Sequence, residues 1–510
     1  MAQTKRETER KYAAPAANDV SWLPKLTGVD PVVSLADRGV QELDAVYYDT
    51  DDLRLTRTSA SLRRRTGGTD AGWHLKLPLP GDSREEIGAP LSEGVPAELR
   101  ELALSRTRGS PLRPVVRIRT TRSLRQLLDA EGGVLAEVST DAVHADSLLD
   151  DGERTTWTEL EIELADSGDP ALLDGIEKVL HSNGVDRAQD PSKVVRALTQ
   201  TTPVLERTQT ARDETTPGTA GDHLLAYVGR LVDALTDLDP AVRRDTPDAV
   251  HQMRTTARRL RGCLRSYRSV LDREVTDPIR RELSWLAGEL GAERDHEVLR
   301  ERLTSGVLEL PGELVLGPVT ARLQTWDTAQ RAEGRRRTLE ALASPRYLDL
   351  LEKLRTLADT PPLRAKAADK SKKVLAKALL KEYDRLMQRM DRALDMPSGA
   401  ERDAAIHYAR KAAKRLRYAA EAARPALGKP ARRLGKRVKA VQQVSGAQHD
   451  SVVARDALRR LAISAHAAGE PGFTWGLLHG QERATASARE GQLPQAWARV
   501  RAAARRKDLR

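Results

Sequence analysis

Three charged residues near the start of the chain, Glu7, Glu9 and Lys11, are spaced two apart within Glu7-Thr8-Glu9-Arg10-Lys11. In an extended strand such residues share one face. Two carboxylates and an ammonium on one face suit a phosphate chain carrying a divalent cation, with oxygens for the metal and a positive charge for the anion. Read alone, the five residues fit a solvated, charge-rich edge strand better than a site. The alternation returns, however. Arg63 and Arg65, His74 and Lys76, Arg84 and Glu86, and Arg117 and Arg119 are each two apart. Thr158–Leu164 sets Glu159, Glu161 and Glu163 on one face and Leu160, Ile162 and Leu164 on the other. One such strand is an ordinary half-buried surface strand. So many in one stretch of chain fit a closed barrel whose charged residues line the lumen and whose apolar residues face outward onto helices. A lumen so polar needs something to neutralise it.

The elements that must position these charges are legible in outline. Strands are expected over 4–14, 44–49, 59–66, 72–78, 114–121, 133–139 and 155–165, with turn chemistry at Thr66-Gly67-Gly68, Pro80-Gly81-Asp82, Glu131-Gly132-Gly133 and Asp151-Gly152. Helical spacing falls around 97–105, 122–129, 170–182 and 191–199. The Thr-rich stretch from Thr201 to Ala220 reads as a linker. The expected division is 1–203, a linker over 204–220, and 221–510.

Everything after the linker is helical in pattern and carries an internal repeat. His251, Arg254, Arg258 and Arg261 recur as His407, Arg410, Lys414 and Arg417 at an offset of 156, and Gly291-Ala-Glu-Arg-Asp295 recurs as Gly446-Ala-Gln-His-Asp450 at 155. Two similar bundles of about four helices each, over about 221–357 and 371–510, are expected. In each copy an apolar stripe, Val250, Met253, Ala257, Leu260, Leu264 and Tyr267 or Ile406, Ala409, Ala413, Leu416, Ala420 and Ala423, marks the core face. The four cations beside it repel one another. A single copy would read as a solvated basic face; two copies at one offset favour an anion-binding surface, which Lys411 and Arg415 could extend. Neither histidine has a second metal ligand three or four residues further along the chain.

Composition bounds the partners. Residues 1–200 hold 26 Lys and Arg against 34 Asp and Glu, and the remainder holds 59 against 40. The first half suits cations and the second a polyanion. Aromatic content of 3% argues against base-stacking platforms. No apolar run reaches a membrane span and the N-terminus lacks a signal-like core, so a cytoplasmic protein without membrane partners is expected. Cys263, the only cysteine, allows no internal disulfide.

The ordered set Glu7-x-Glu9-x-Lys11, Tyr47-Tyr48-Asp49-Thr50, Leu62-Arg63-Arg64-Arg65, Leu75-Lys76-Leu77-Pro78 and Glu159-x-Glu161-x-Glu163 resembles the CYTH family of triphosphate tunnel metalloenzymes. The resemblance implies an eight-stranded antiparallel tunnel with flanking helices, binding a triphosphate with Mg²⁺ or Mn²⁺. It implies catalytic roles for Glu7, Glu9, Lys11 and Glu161. Lys11, Arg63, Arg65, Lys76, Arg117, Arg119 and Lys193 would grip phosphate, and Glu7, Glu9, Asp141, Glu159, Glu161 and Glu163 would hold metal. The repeated helices resemble the CHAD family, which implies two pseudo-symmetric four-helix bundles. It also implies inorganic polyphosphate bound by His251, Arg254, Arg258, Arg261, His407, Arg410, Lys414 and Arg417. The leading expectation is metal-dependent hydrolysis of tripolyphosphate or short polyphosphate beside a polyphosphate-capturing domain. A non-catalytic polyphosphate binder at polyphosphate granules is the alternative, with nucleic-acid binding a further one that no motif supports. Oligomeric state, metal identity and general base stay open.

Overall fold

The computed structural model describes residues 3–13, 22–149, 152–166, 168–190, 192–201, 218–397 and 399–503. Most of the expected linker and the end of the basic tail (Arg499 onward) lie outside the described residues. The chain divides into two compact units, residues 1–214 and 215–510.

The first unit is built on eight strands: β1 (Gln3–Ala13), β2 (Ser34–Asp49), β3 (Ser61–Thr66), β4 (Gly72–Pro78), β5 (Ser83–Ala89), β6 (Arg113–Leu128), β7 (Val134–Ser147) and β8 (Arg154–Leu164). They close in the order β1-β5-β4-β3-β2-β6-β7-β8, and every pairing is antiparallel, including β8 back to β1. Alternation then puts one set of side chains inside and the other outside. The outward apolar set is covered by helices. Leu62, Trp73, Leu75 and Ile87 pack with Leu55 of α1 (Arg54–Arg57) and with Leu99, Leu102 and Ala103 of α2 (Ala97–Thr107). Leu160, Ile162, Leu164, Ala136 and Val138 pack on Leu172, Leu173, Ile176 and Leu180 of α3 (Pro170–Ser182). That helix starts where Asp169 accepts the Ala171 N–H at 2.8 Å, with Pro170 as its first residue. A further helix, α4 (Lys193–Thr201), buries Val194, Ala197 and Leu198 against Val115, Val116, Ile118, Val143 and Trp157.

Two expectations fail here. Residues 122–129 are not helical; 122–128 continue β6, because pairing with both β2 and β7 satisfies their backbone and the Leu127 side chain enters the core under α3. The strand β5 was missing from the expected set, although the spacing of Arg84 and Glu86 marked it.

The second unit is all helical in its described elements: α5 (Ala220–Arg243), α6 (Ala249–Ser266), α7 (Arg273–Leu308), α8 (Val319–Ala343), α9 (Pro345–Asp359), α10 (Ser371–Asp395), α11 (Ala400–Leu427), α12 (Lys429–Ala467) and α13 (Phe473–Ala503). The repeat is visible as α5–α6–α7 against α10–α11–α12. Ser344 caps α9 by accepting the Tyr347 N–H at 3.2 Å, and Pro345 follows, so the first copy closes with two helices where the second has one. The two copies share a core. Met253, Ala257, Leu260 and Leu264 of α6 lie in one cluster with Ile406, Ala409, Ala413 and Leu416 of α11. Both expected apolar stripes are buried there, with Val250 at the margin.

Candidate active site

Glu7, Glu9 and Lys11 all face the barrel lumen, as their spacing requires. Between them Arg10 points outward to Asp82, Asp174 and Glu177 at 2.6–2.9 Å. Register brings partners to the three: Glu7 lies across from Arg84 on β5, Glu9 from Glu163 and Lys11 from Glu161 on β8. Arg63, Arg65, Lys76, Glu86, Arg122, Glu137 and Lys193 line the same cavity, about 650 Å³ in volume.

The charges fall into two groups. In the first, Lys76 bonds Glu7 and lies 2.8 Å from Glu86, which also meets His74 Nδ1 at 2.5 Å and Arg63 at 3.8 Å. Arg65 pairs with Asp70 of the β3–β4 turn. In the second, Lys11 bonds Glu161 and lies 3.6 Å from Glu9. Lys193, the first residue of α4, reaches Asp141, Glu159 and Glu161 at 2.7–2.8 Å. Arg122 forks onto Asp141 at 2.8 and 2.6 Å and reaches Glu161 at 2.7 Å.

These surroundings move the acidities. Burial pushes Glu7 up to about 7, with Glu86 and Glu163 adding to it against Lys76. Burial also opposes the charged form of Glu161, but Lys11, Lys193 and Arg122 outweigh it and hold that carboxyl well below its usual range. Burial and the Arg63 charge push Arg65 down to about 9.

Two expected phosphate contacts are not in the lumen. Arg117 and Arg119 lie on the outer surface, where they pair with Asp44 and Asp146. The inward residues of β6 are the even ones, Ile118, Thr120, Arg122, Leu124 and Gln126. Near α4 this strand turns apolar residues inward and charge outward, which inverts the rule that held for β1, β4 and β8. Arg122 is a lumen cation that sequence reading missed, as are Lys5 and Arg38; for Arg122 the phase with Thr120 and Gln126 was the available signal. Arg38, Arg84 and Glu86 also face the cavity.

In the helical unit α6 and α11 lie side by side, joined by the Tyr267 hydroxyl donating to the Ala419 carbonyl at 2.7 Å. Arg254, Arg258, Arg410 and Lys414 are close enough to act on one another's charge. Arg254 is seated by Asp295 at 2.6 and 3.0 Å, and Arg410 lies 4.0 Å from Asp450. Gly291 leaves room for the first of these: a Cβ there would lie 3.1 Å from the Arg254 guanidinium, whereas one on Gly446 would lie at an ordinary 3.8 Å from that of Arg410. Arg258, Arg261, Lys411, Lys414 and Arg415 line a cavity of about 530 Å³ with Arg265, Arg280, Arg281 and Arg389, and no carboxylate lines it among the described residues. The last four were not foreseen. Burial, then Arg258, Arg410 and Arg254, push Lys414 down to about 7. Arg417 stands outside this cavity, 4.9 Å over the Tyr418 ring. His251 is exposed and lies beyond Arg254, while His407 faces His449 at 4.8 Å between ring centres.

A family model for the CYTH domain matches residues 5–198, and one for the CHAD domain matches residues 226–459. The uncharacterized protein Rv2226 of Mycobacterium tuberculosis is 38% identical over 491 residues, which is 93% of this chain and 92% of that protein. The chain belongs to the family that joins a CYTH domain to a CHAD domain. Among solved structures, PptA from Streptomyces chartreusis is similar over 55% of this chain and 99% of its own (25% identity, TM-score 0.48). The CHAD domain from the plant Ricinus communis is similar over 56% of this chain and 92% of its own (26% identity, TM-score 0.45).

CYTH tunnel metalloenzymes use divalent metal ions. The donor set in this CYTH domain fits such an ion. Asp141, Glu159 and Glu161 are buried, each offers an oxygen, and those atoms lie within 4.8 Å of one another. Oxygen-only donors suit a hard cation. Glu159 Oε1 is buried with only ammonium groups against it, Lys193 at 2.7 Å and Lys11 at 4.0 Å. A second group, Asp70, His74 and Glu86, is equally compact; like the first it has cations against it, and it differs in offering two carboxylates and an imidazole, with Asp70 exposed, where the first offers three buried carboxylates.

Proposed function

We propose that the CYTH domain hydrolyses tripolyphosphate or short inorganic polyphosphate with Mg²⁺ or Mn²⁺, and that the CHAD domain holds longer polyphosphate and so localises the protein at cytoplasmic polyphosphate granules. The supporting observation is the convergence of Arg63, Arg65, Lys76, Arg122 and Lys193 with Glu7, Glu9, Glu161 and Glu163 around one lumen. A pure anion binder gains nothing from four carboxylates inside its site, whereas a metal–phosphate complex needs them.

In this reading Arg63, Arg65 and Arg122 fork onto phosphate oxygens, while Lys76 and Lys11 act as point charges. Asp141, Glu159 and Glu161 would hold the metal, with Glu7, Glu9 and Glu163 on the lumen wall as further oxygen donors. The metal, when bound, neutralises charge on the phosphate oxygens. Lys193 keeps the three buried acids together when no other cation does. Phosphoryl transfer asks for little covalent help, so fixing the chain in line is most of what these residues contribute. Residues 1–203 and 221–510 would then be the working parts, joined by 204–220.

Phosphate release from tripolyphosphate, measured on the full chain with and without Mg²⁺, tests the reading. Release that depends on metal and is lost in Glu161→Gln supports it. Tight binding of tripolyphosphate without release under any divalent metal would leave the non-catalytic alternative.

A further inference from the structure

The three buried acids converge on one point. Asp141 Oδ2, Glu159 Oε1 and Glu161 Oε1 all lie 2.7–2.8 Å from the Lys193 ammonium. Their other oxygens are tied from behind. Arg122 holds Asp141 Oδ1 at 2.8 Å and Glu161 Oε2 at 2.7 Å. Glu159 Oε2 is held by a group of another kind: it accepts the indole N–H of Trp157 at 2.6 Å. Trp157 shares the parity of Glu159 and Glu161 on β8. It is buried in the apolar cluster that contains Val143, Val194 and Leu198, and the Arg196 guanidinium lies 4.9 Å over its ring. Val194, Arg196 and Leu198 belong to α4, the helix that begins with Lys193.

We propose that Trp157 is a positioning residue that fits this acid cluster to a small divalent cation: by occupying one oxygen of Glu159 it makes that carboxylate a single-oxygen donor. This rests on the reading of Asp141, Glu159 and Glu161 as metal donors.

Cation size gives the bond its consequence. Ca²⁺ gathers roughly six to eight oxygens and often takes both from one carboxylate. Mg²⁺ demands a tight octahedron, built from a few carboxylate oxygens, waters and substrate phosphates, and Mn²⁺ shares the octahedral habit. With Arg122 behind Asp141 and Glu161, and Trp157 behind Glu159, each acid turns one oxygen toward the cation. Phosphate in the lumen can draw an arginine away from a carboxylate. An indole has a single N–H, and this one is seated in the packed layer under α4, so the count at Glu159 stays fixed with substrate present.

Magnetic resonance of the indole N–H protons in the full chain tests both steps. The chain has seven tryptophans, and single Trp→Phe variants assign their signals. Sub-stoichiometric Mn²⁺ should broaden the Trp157 signal first; a signal left sharp would sink the metal reading and the proposal with it. Saturating Mg²⁺ should leave the Trp157 proton at the low field of an indole bonded to a carboxylate. A move to the position of a free indole would mean that the metal takes both Glu159 oxygens, which overturns the proposal and leaves the metal reading standing. If Trp157→Phe does not fold, the other six variants assign the signal by elimination and these two measurements on wild type decide. Where it folds, competition between Mn²⁺ and Ca²⁺, followed by the spin resonance of free Mn²⁺, gives the ratio of affinities. The preference for Mn²⁺ should fall about tenfold in Trp157→Phe, because Glu159 can then offer both oxygens. A ring that only fills space would weaken both ions alike, so an unchanged ratio overturns the proposal.

Discussion

Glu7 shows how a single side chain can cost stability for the sake of a site. Its carboxyl is pushed up to about 7 in the folded chain, first by burial and then by Glu86 and Glu163. Between about pH 4.5 and 7 the folded state therefore binds more protons at this position than the unfolded one, and stability falls as pH rises through that window. Glu7→Gln should raise the thermal midpoint at pH 8 and change it little at pH 5, measured by thermal unfolding at both. The arginines of β6 give a second comparison. Arg122→Ala should raise KM for tripolyphosphate at least tenfold, because it removes a fork worth about 1.5–3 kcal/mol. Arg117→Ala should leave KM within about twofold, since its partner is Asp44 outside the barrel. The spacing in the sequence was the same for Arg117 and Arg119 as for Arg63 and Arg65. Which parity faces inward depends on how the strand is seated against α4, and alternation alone does not carry that.

Elements decide how the buried acids survive. Three carboxylates, Asp141, Glu159 and Glu161, are all under 9% exposed, and they tolerate one another because α4 begins with Lys193 among them. Lys193→Ala should destabilise the chain by about 3–5 kcal/mol, the usual result of stripping a partner from buried charge. Added Mg²⁺ should then raise the thermal midpoint of the variant more than that of wild type, because a cation regains the vacated place. Strand and helix identities were mostly readable where one periodicity ruled, as in β8 and α3. Residues 122–129 misled because Leu124, Leu127 and Leu128 repeat at helical spacing, whereas the pairing that makes them a strand comes from β2 and β7, far away in the chain.

At the scale of the whole molecule the duplicated stripes behave as one surface. Arg258 and Lys414 belong to different copies, yet they line the same cavity. Replacing both with alanine should weaken long-chain polyphosphate binding and flatten its dependence on salt, while tripolyphosphate hydrolysis in the CYTH domain stays close to wild type; filter binding over a salt series and phosphate release read the two effects. The repeat itself was plain in the sequence. That its copies would face each other, and that Arg265, Arg280, Arg281 and Arg389 would close the basic cavity, depends on helix packing that a linear offset does not encode.

The way β1 is held has one more consequence. Its Gln3–Thr8 half is bonded to β5 and its Glu9–Ala13 half to β8, about 150 residues later. The ring of strands has no terminal strand, so edge is left only where a long strand outruns its neighbour, as at Ser34–Leu43 of β2 beyond β3, and the usual route to strand-by-strand aggregation is narrowed. The cost is kinetic: the last seam joins distant parts of the chain, so this half should assemble slowly and late.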